Sequence, residues 1–225
     1  MNTRVRWLAL ALGLALGAGA CVLLVHADLA LAAHFWRPGF GFYMDPRPPV
    51  QWIYRGLPWL VGGIAASLAI GLLMSLIGRS PEWRALRAPL AFLLLTLALG
   101  PGLLANGVFK DHWGRPRPYQ LERFGGTMHY VPPGVPSTQC DRNCSFVCGH
   151  CAAAFWLIGL AWVDRRRRRL WLALGLTLGA GVSMVRMAQG GHFLSDALGA
   201  LLVVWVTDAL VYRGMRALGW KPSLN

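Results

Sequence analysis

Six apolar stretches separated by polar segments organise the chain. Trp7–Val25, Leu57–Ile77 and Ala88–Phe109 contain no charged residue. Ser145–Val163 carries only His150, Leu170–Val185 is uncharged but short, and Phe193–Tyr212 carries Asp196 and Asp208. A helix rises ~1.5 Å per residue, so ~20 apolar residues cross a ~30 Å hydrocarbon layer. The pattern predicts an all-α fold, a polytopic membrane bundle of six transmembrane helices. Pro101 is expected to kink the third span, and the fifth is expected to borrow residues from its flanks. Gly13 with Gly17, and Gly175 with Gly179, have the spacing that lets helices approach closely. No heptad, solenoid period or low-complexity tail breaks the pattern, so residues 1–225 read as a single membrane domain with its catalytic core at about 88–212. The first stretch has a rival reading. Arg4 and Arg6 before an apolar run, with small residues at Gly17–Ala20, also fit a signal peptide. The run is longer than most signal cores, and we read it as a span.

Composition sharpens this picture. Hydrophobic residues make up 56% of the 225 and charged ones 14%, too apolar for a disordered chain and too poorly charged for an ordinary soluble domain. Yet 22 Lys and Arg against 9 acids give +13. In a soluble protein that balance suggests nucleic acid. In a membrane protein it suggests loops that fix orientation. With the N-terminus inside, the inner segments hold thirteen basic residues and three acids, including the run Arg165–Arg169. The outer side holds nine basic residues and six acids over longer loops. The positive-inside rule therefore puts both termini in the cytoplasm, and Arg165–Arg169 is an anchor between spans, not a nucleic-acid patch. Tryptophans near both sets of span ends match interfacial belts.

The outer side also carries charge that topology does not need. Lys110 and Arg117 lie in one loop, His150 opens the fourth span, Arg186 closes the fifth, and His192 and Asp196 open the sixth. Three cations suit a phosphate dianion, with Arg offering a planar fork. Cys148 and Gly149 sit at a helix start, where unpaired N–H groups face an anion and Gly permits close approach. His192 and Asp196 are four apart, on one helix face. The carboxylate can fix the imidazole tautomer so that the other nitrogen attacks phosphorus. His150 can then protonate the departing oxygen. Each group alone has a bland reading as a structural His or a snorkelling Arg. Together they form a phosphoryl-transfer set that needs no metal or cofactor.

The order Lys-x6-Arg-Pro, then Pro-Ser-Gly-His, then Ser-Arg-x5-His-x3-Asp resembles the type 2 phosphatidic acid phosphatase superfamily, which includes the vanadium haloperoxidases. The first motif is complete at Lys110, Arg117 and Pro118. The second reads Val147, Cys148, Gly149, His150, and the third opens with Val185 in place of Ser before Arg186, His192 and Asp196. The resemblance implies that His192 is the nucleophile and forms a phosphohistidine, that Asp196 orients it, and that His150 protonates the leaving group. It implies that Lys110, Arg117 and Arg186 hold the phosphate. Cys148 stands where the family has a Ser that supplies a hydroxyl and a backbone N–H, so a weaker donor is expected there. The stretch Cys140–Phe146 is similar to a bacterial subgroup that includes lipid A phosphatases.

Four of five cysteines fall within 140–151, at spacings that do not match a usual zinc pattern. On an oxidising side Cys140 and Cys144 are expected to form a disulfide, with free thiols as the alternative. Residues 28–56 are rich in aromatics and proline and read either as a cap on the bundle or as a wall of a lipid-entry groove. The expected function is removal of phosphate from a membrane lipid, such as phosphatidic acid, phosphatidylglycerol phosphate, undecaprenyl pyrophosphate or lipid A. It would act at the periplasmic face of a bacterial inner membrane, with the bilayer and the lipid as its partners and no nucleic acid. A silent or transporting lipid-phosphate-binding protein, or a vanadate-dependent haloperoxidase, is the alternative.

Overall fold

The computed structural model describes Trp7 and residues 25–224. Residues 8–24 of the expected first span, Trp7–Val25, and with them the Gly13–Gly17 pair, lie outside the described residues. Six helices follow in order. They are α1 (Val25–His34), α2 (Pro48–Ile77), α3 (Pro81–His112), α4 (Gly149–Val163), α5 (Arg168–Ala188) and α6 (Leu194–Ala217). Between α1 and α2 the chain makes a two-residue antiparallel ladder, β1 (Trp36–Arg37) on β2 (Gly41–Phe42), a small exception to the all-α expectation.

Among the described residues four helices, α2, α3, α5 and α6, are long and apolar enough to cross a membrane. The fourth stretch gives a shorter apolar helix than the expected span. Its first residues, Ser145–Cys148, are not helical, and α4 tightens to a 3₁₀ turn at Trp156–Gly159. Their backbone groups are used in tertiary hydrogen bonds, so the helix starts late. The fifth stretch does extend into its flanks, from Arg168 to Ala188.

Local sequence explains the boundaries. Proline occupies the first turn of α2 and of α3, where its missing N–H has no helical partner to lose. Inside α3, Pro101 has no N–H to continue the ladder, and Ala98–Phe109 winds as a wider π-helix. The helix therefore continues through Pro101, and the Asn106 amide donates to the Pro101 carbonyl at 2.6 Å.

The core lies between α3, α4, α5 and α6. One cluster centres on Ala105, Val147, Ile158, Ala200 and Val204. Another joins Phe92, Leu97, Trp156 and Met215, with the Trp156 indole N–H donating to Thr96 Oγ1 at 3.0 Å. Helix α2 packs mainly on α3, and only 6% of its most apolar window is buried. Such an apolar, unburied surface suits lipid.

The Gly175 and Gly179 pair brings α5 onto α4. A Cβ at Gly175 would lie 2.7 Å from the Ile158 backbone nitrogen, and one at Gly179 would lie 2.0 Å from the Phe155 ring. Gly179→Val should therefore lower the thermal midpoint of the detergent-solubilised protein, with an overpacking penalty of about 1–3 kcal/mol. An unchanged midpoint would show that this contact can relax freely.

Candidate functional site

Backbone hydrogen bonds join the three motif segments. Cys144 N–H donates to Lys110 O at 2.9 Å, and Ser145 N–H to Arg115 O at 2.8 Å. Cys148 N–H donates to Asp196 O at 3.2 Å, and Tyr119 N–H to Gly190 O at 3.1 Å. The turn at Gly114 brings the first motif segment against Ser137, whose N–H donates to Trp113 O at 2.9 Å. The Gly114 φ is +67°, and a Cβ there would sit 1.6 Å from Ser137 O. Only glycine fits.

The structure brings the expected phosphate-binding cations together around His192. Lys110, Arg117 and Arg186 are all buried. Arg117 is braced by Asn143, its Nη2 donating to the backbone oxygen at 2.7 Å and to Oδ1 at 2.9 Å. Arg186 lies over the Tyr54 ring at 4.4 Å and donates from Nη1 to Gln189 Oε1. Its Nε has no hydrogen-bond partner among the described residues.

His192 is 1% exposed, and neither ring nitrogen has a hydrogen-bond partner among the described residues. A buried imidazole normally finds a partner. Burial first, then the charges of Arg117, Arg186 and Lys110 and the His150 ring, push its pKa well below the usual histidine range. The ring is therefore neutral and keeps a lone pair at neutral pH.

The expected His192–Asp196 arrangement is only partly present. Nδ1 lies 3.6 Å from Asp196 Oδ2, beyond hydrogen-bond reach. Asp196 is already occupied. Its Oδ2 accepts from Ser145 Oγ at 2.5 Å and from Phe193 N–H at 2.8 Å, and its Oδ1 pairs with Arg115. It thus caps the start of α6 and anchors a guanidinium.

Arg115 was missed as a site residue by sequence reasoning, which counted it only as an outer-loop charge. It has no exposed surface. It pairs with Asp28 at 2.8 Å and with Asp196, and donates to Ser195 Oγ at 2.9 Å and Val131 O at 2.8 Å. Asp28 also accepts from Tyr130 Oη at 3.0 Å and Ser195 N–H at 2.9 Å. Burial works against the Arg115 charge, but the Asp196 and Asp28 carboxylates outweigh it and raise its pKa. Burial and the Asp28 charge raise the Tyr130 pKa, which keeps that phenol protonated.

His150 stacks on Tyr54, ring centroids 5.0 Å apart, with Nε2 3.1 Å from the Tyr54 carbonyl. Opposite a carbonyl oxygen, Nε2 carries the proton. Gly149 packs tightly, since a Cβ would lie 2.2 Å from Asn106 Oδ1. Cys148 requires a correction. Its sulfur is joined to Cys151, and its N–H is used by Asp196 O. Neither the expected thiol nor that N–H faces a phosphate, whereas the N–H groups of Gly149 and His150 have no backbone partner among the described residues. Cys140 and Cys144 are likewise joined, their Cα atoms 5.8 Å apart.

A cavity of about 580 Å³ opens against Arg117 and Arg186. Its far wall is the segment after β1, including Phe40, Phe42 and Asp45, together with Gln51 and Tyr54 of α2. The aromatic stretch of 28–56 therefore walls this cavity.

An apolar helical scaffold thus carries a buried, neutral imidazole among three buried cations. The PAP2 superfamily model matches residues 89–220, and the chain belongs to that superfamily. It is 44% identical over 133 residues to a lipid A 4'-phosphatase of Francisella tularensis subsp. novicida, covering 56% of this chain and 60% of that one. A lipid A 4'-phosphatase of Rhizobium leguminosarum is 39% identical over 127 residues, covering 55% and 52%. One of Rhizobium etli is 37% identical over 123 residues, covering 54% and 46%. The chain thus spans roughly half the length of these curated relatives. No solved structure gives a significant match.

Proposed function

We propose that this chain is a membrane phosphatase that hydrolyses a phosphate ester of a lipid through a phosphohistidine. The observation that carries the reading is His192, buried and neutral, with both nitrogens unpartnered among three cations. The phosphate binds between Lys110, Arg117 and Arg186. A His192 nitrogen forms a bond to phosphorus as the bond to the lipid oxygen breaks, and His150 supplies the proton to that oxygen. Water then attacks the phosphohistidine with His150 as base, returning inorganic phosphate and free His192. To serve as acid, His150 must take up a second proton at Nδ1 when the phosphate dianion binds and pass that proton to the departing oxygen, keeping Nε2–H on the Tyr54 carbonyl. Arg186 and Arg117 stabilise the charge that builds on the equatorial oxygens.

Among the candidate substrates, the printed names of the relatives favour lipid A over phosphatidic acid, phosphatidylglycerol phosphate and undecaprenyl pyrophosphate. The placement is an inner membrane with both termini cytoplasmic and the site periplasmic, supported by the inner excess of basic residues. The test is phosphate release by the purified protein from a panel of these four lipids without added metal. Release from at least one supports the reading, and release from none overturns it.

A further inference from the structure

The cavity beside the phosphate clamp has a wall whose chemistry the phosphatase reading leaves unused. Arg117 and Arg186 line one side, so whatever fills the cavity is joined to the bound phosphate. Tyr54 also lines it and stacks on His150, which places the cavity on the side of the departing oxygen. The occupant is the alcohol part of the ester.

The opposite wall is built around Asp45. Its Oδ1 accepts from Gln189 Nε2 at 3.0 Å and from Gln51 Nε2 at 3.2 Å. Gln51 Nε2 also donates to the Asp45 backbone oxygen at 2.7 Å. Both amide groups are thus oriented by Asp45, and Gln189 passes the connection to Arg186. Asp45 Oδ2 and Gln51 Oε1 have no hydrogen-bond partner among the described residues. Both are acceptors, so an occupant must bring donors. A diacylglycerol backbone next to its phosphate offers only ester oxygens, which would leave these acceptors unpaired or in repulsion. A ring bearing hydroxyl or amide hydrogens satisfies them. Phe40, 84% exposed, and Tyr119, 50% exposed, add aromatic surface suited to the apolar face of such a ring. The volume lies within the usual range for a small-ligand site, roughly 300–1,000 Å³.

We infer that Asp45 and Gln51 form a sugar subsite, which selects lipids whose phosphate is carried on a pyranose ring over glycerol phosphate lipids. The inference rests on the phosphatase reading and adds to it the residues that choose the alcohol. Asp45→Asn is nearly isosteric and keeps the acceptor for Gln189, but turns the unpartnered oxygen into a donor.

The test compares phosphate release from a phosphorylated glucosamine lipid and from phosphatidic acid of matched chains. In Asp45→Asn and Gln51→Leu, the ratio of kcat/KM for the sugar lipid to that for phosphatidic acid should fall about tenfold, mainly through KM. An unchanged ratio, or an equal loss on both lipids, overturns the inference. Binding separates it from failure of the phosphatase reading. Even a chain that releases no phosphate should bind glucosamine 4-phosphate more tightly than 1,2-diacetylglycerol 3-phosphate, whose esterified hydroxyls bring no donors, and Asp45→Asn should erase the difference. Equal affinities in the unaltered chain overturn the inference.

Discussion

Replacing His192 by Ala should abolish release of phosphate from every lipid the unaltered protein accepts. Removing a nucleophile removes the covalent step itself, and losses of about 10³-fold or more are typical. The His192 site makes this a clean experiment. The side chain has no hydrogen-bond partner to orphan among the described residues, so its removal should disturb the fold little. The protein should still bind inorganic phosphate through Lys110, Arg117 and Arg186. A variant that folds and still releases phosphate at a comparable rate would sink the phosphohistidine mechanism. The pH dependence gives a second readout. Because the His192 pKa is depressed by burial and then by the neighbouring cations, the ring stays unprotonated below the usual histidine value of about 6.5. Loss of the nucleophile's lone pair should therefore appear only well into acid. The same shift affects stability in a defined direction. The unfolded chain takes up a proton at His192 as pH falls below about 6.5, whereas the folded one resists it, so stability declines with acidification through that window.

The sequence makes some layers of this site visible and hides others, for physical reasons. Lys110, Arg117, His150, Arg186, His192 and Asp196 stand out because ionisable residues next to apolar spans need a reason to be there. Their convergence on one face follows from span counting alone. The late start of α4 was hidden because Ser145–Cys148 are as apolar as a helix would be, and only their tertiary hydrogen bonds to Arg115 and Asp196 divert them. The Cys148–Cys151 bond was overlooked because the spacing suits a helix turn as well as a disulfide. Arg115 and Asp28 were hidden more deeply. They are 87 residues apart, and charge in an aromatic, proline-rich loop looks solvated from sequence. One clue was present. Arg115 sits two residues before Arg117 in an Arg-Pro-Arg-Pro stretch, and in an extended segment residues i and i+2 line the same face. Asp45 was passed over for a related reason. It belongs to no motif, and its meaning comes from a cavity that assembles from α2, the segment before it and the turn after α5.

The second large effect is expected at Arg115. Arg115→Met should prevent the protein from accumulating in folded form, or lower its thermal midpoint more than any clamp substitution does. The guanidinium is wholly buried between Asp28 and Asp196, and each carboxylate is itself unexposed. Breaking a buried pair by removing one partner costs about 3–5 kcal/mol, because the remaining charge is stranded. Here one substitution strands two. Set against a total stability of about 5–15 kcal/mol, that is enough to unfold a marginal domain. Asp28→Asn gives a graded comparison. It keeps the hydrogen-bonding shape and leaves Arg115 its Asp196 partner, so the loss should be smaller. If Arg115→Met is further combined with Asp28→Asn, part of the loss should return, because one stranded charge is gone. The interaction between the two substitutions is then the measurement, read as a double-mutant cycle of thermal or denaturant midpoints in detergent. Strict additivity would show that the pair is not coupled. The outcome bears on chemistry as well as folding. Asp196 now divides its oxygens between Arg115, Ser145 and the Phe193 backbone, which holds the start of α6 while leaving His192 3.6 Å away. A surviving Asp28→Asn protein that melts lower yet keeps its rate would assign this network to the frame that holds the nucleophile. A drop in kcat with KM preserved would instead make Asp28, at the far end of the chain, a positioning residue for His192.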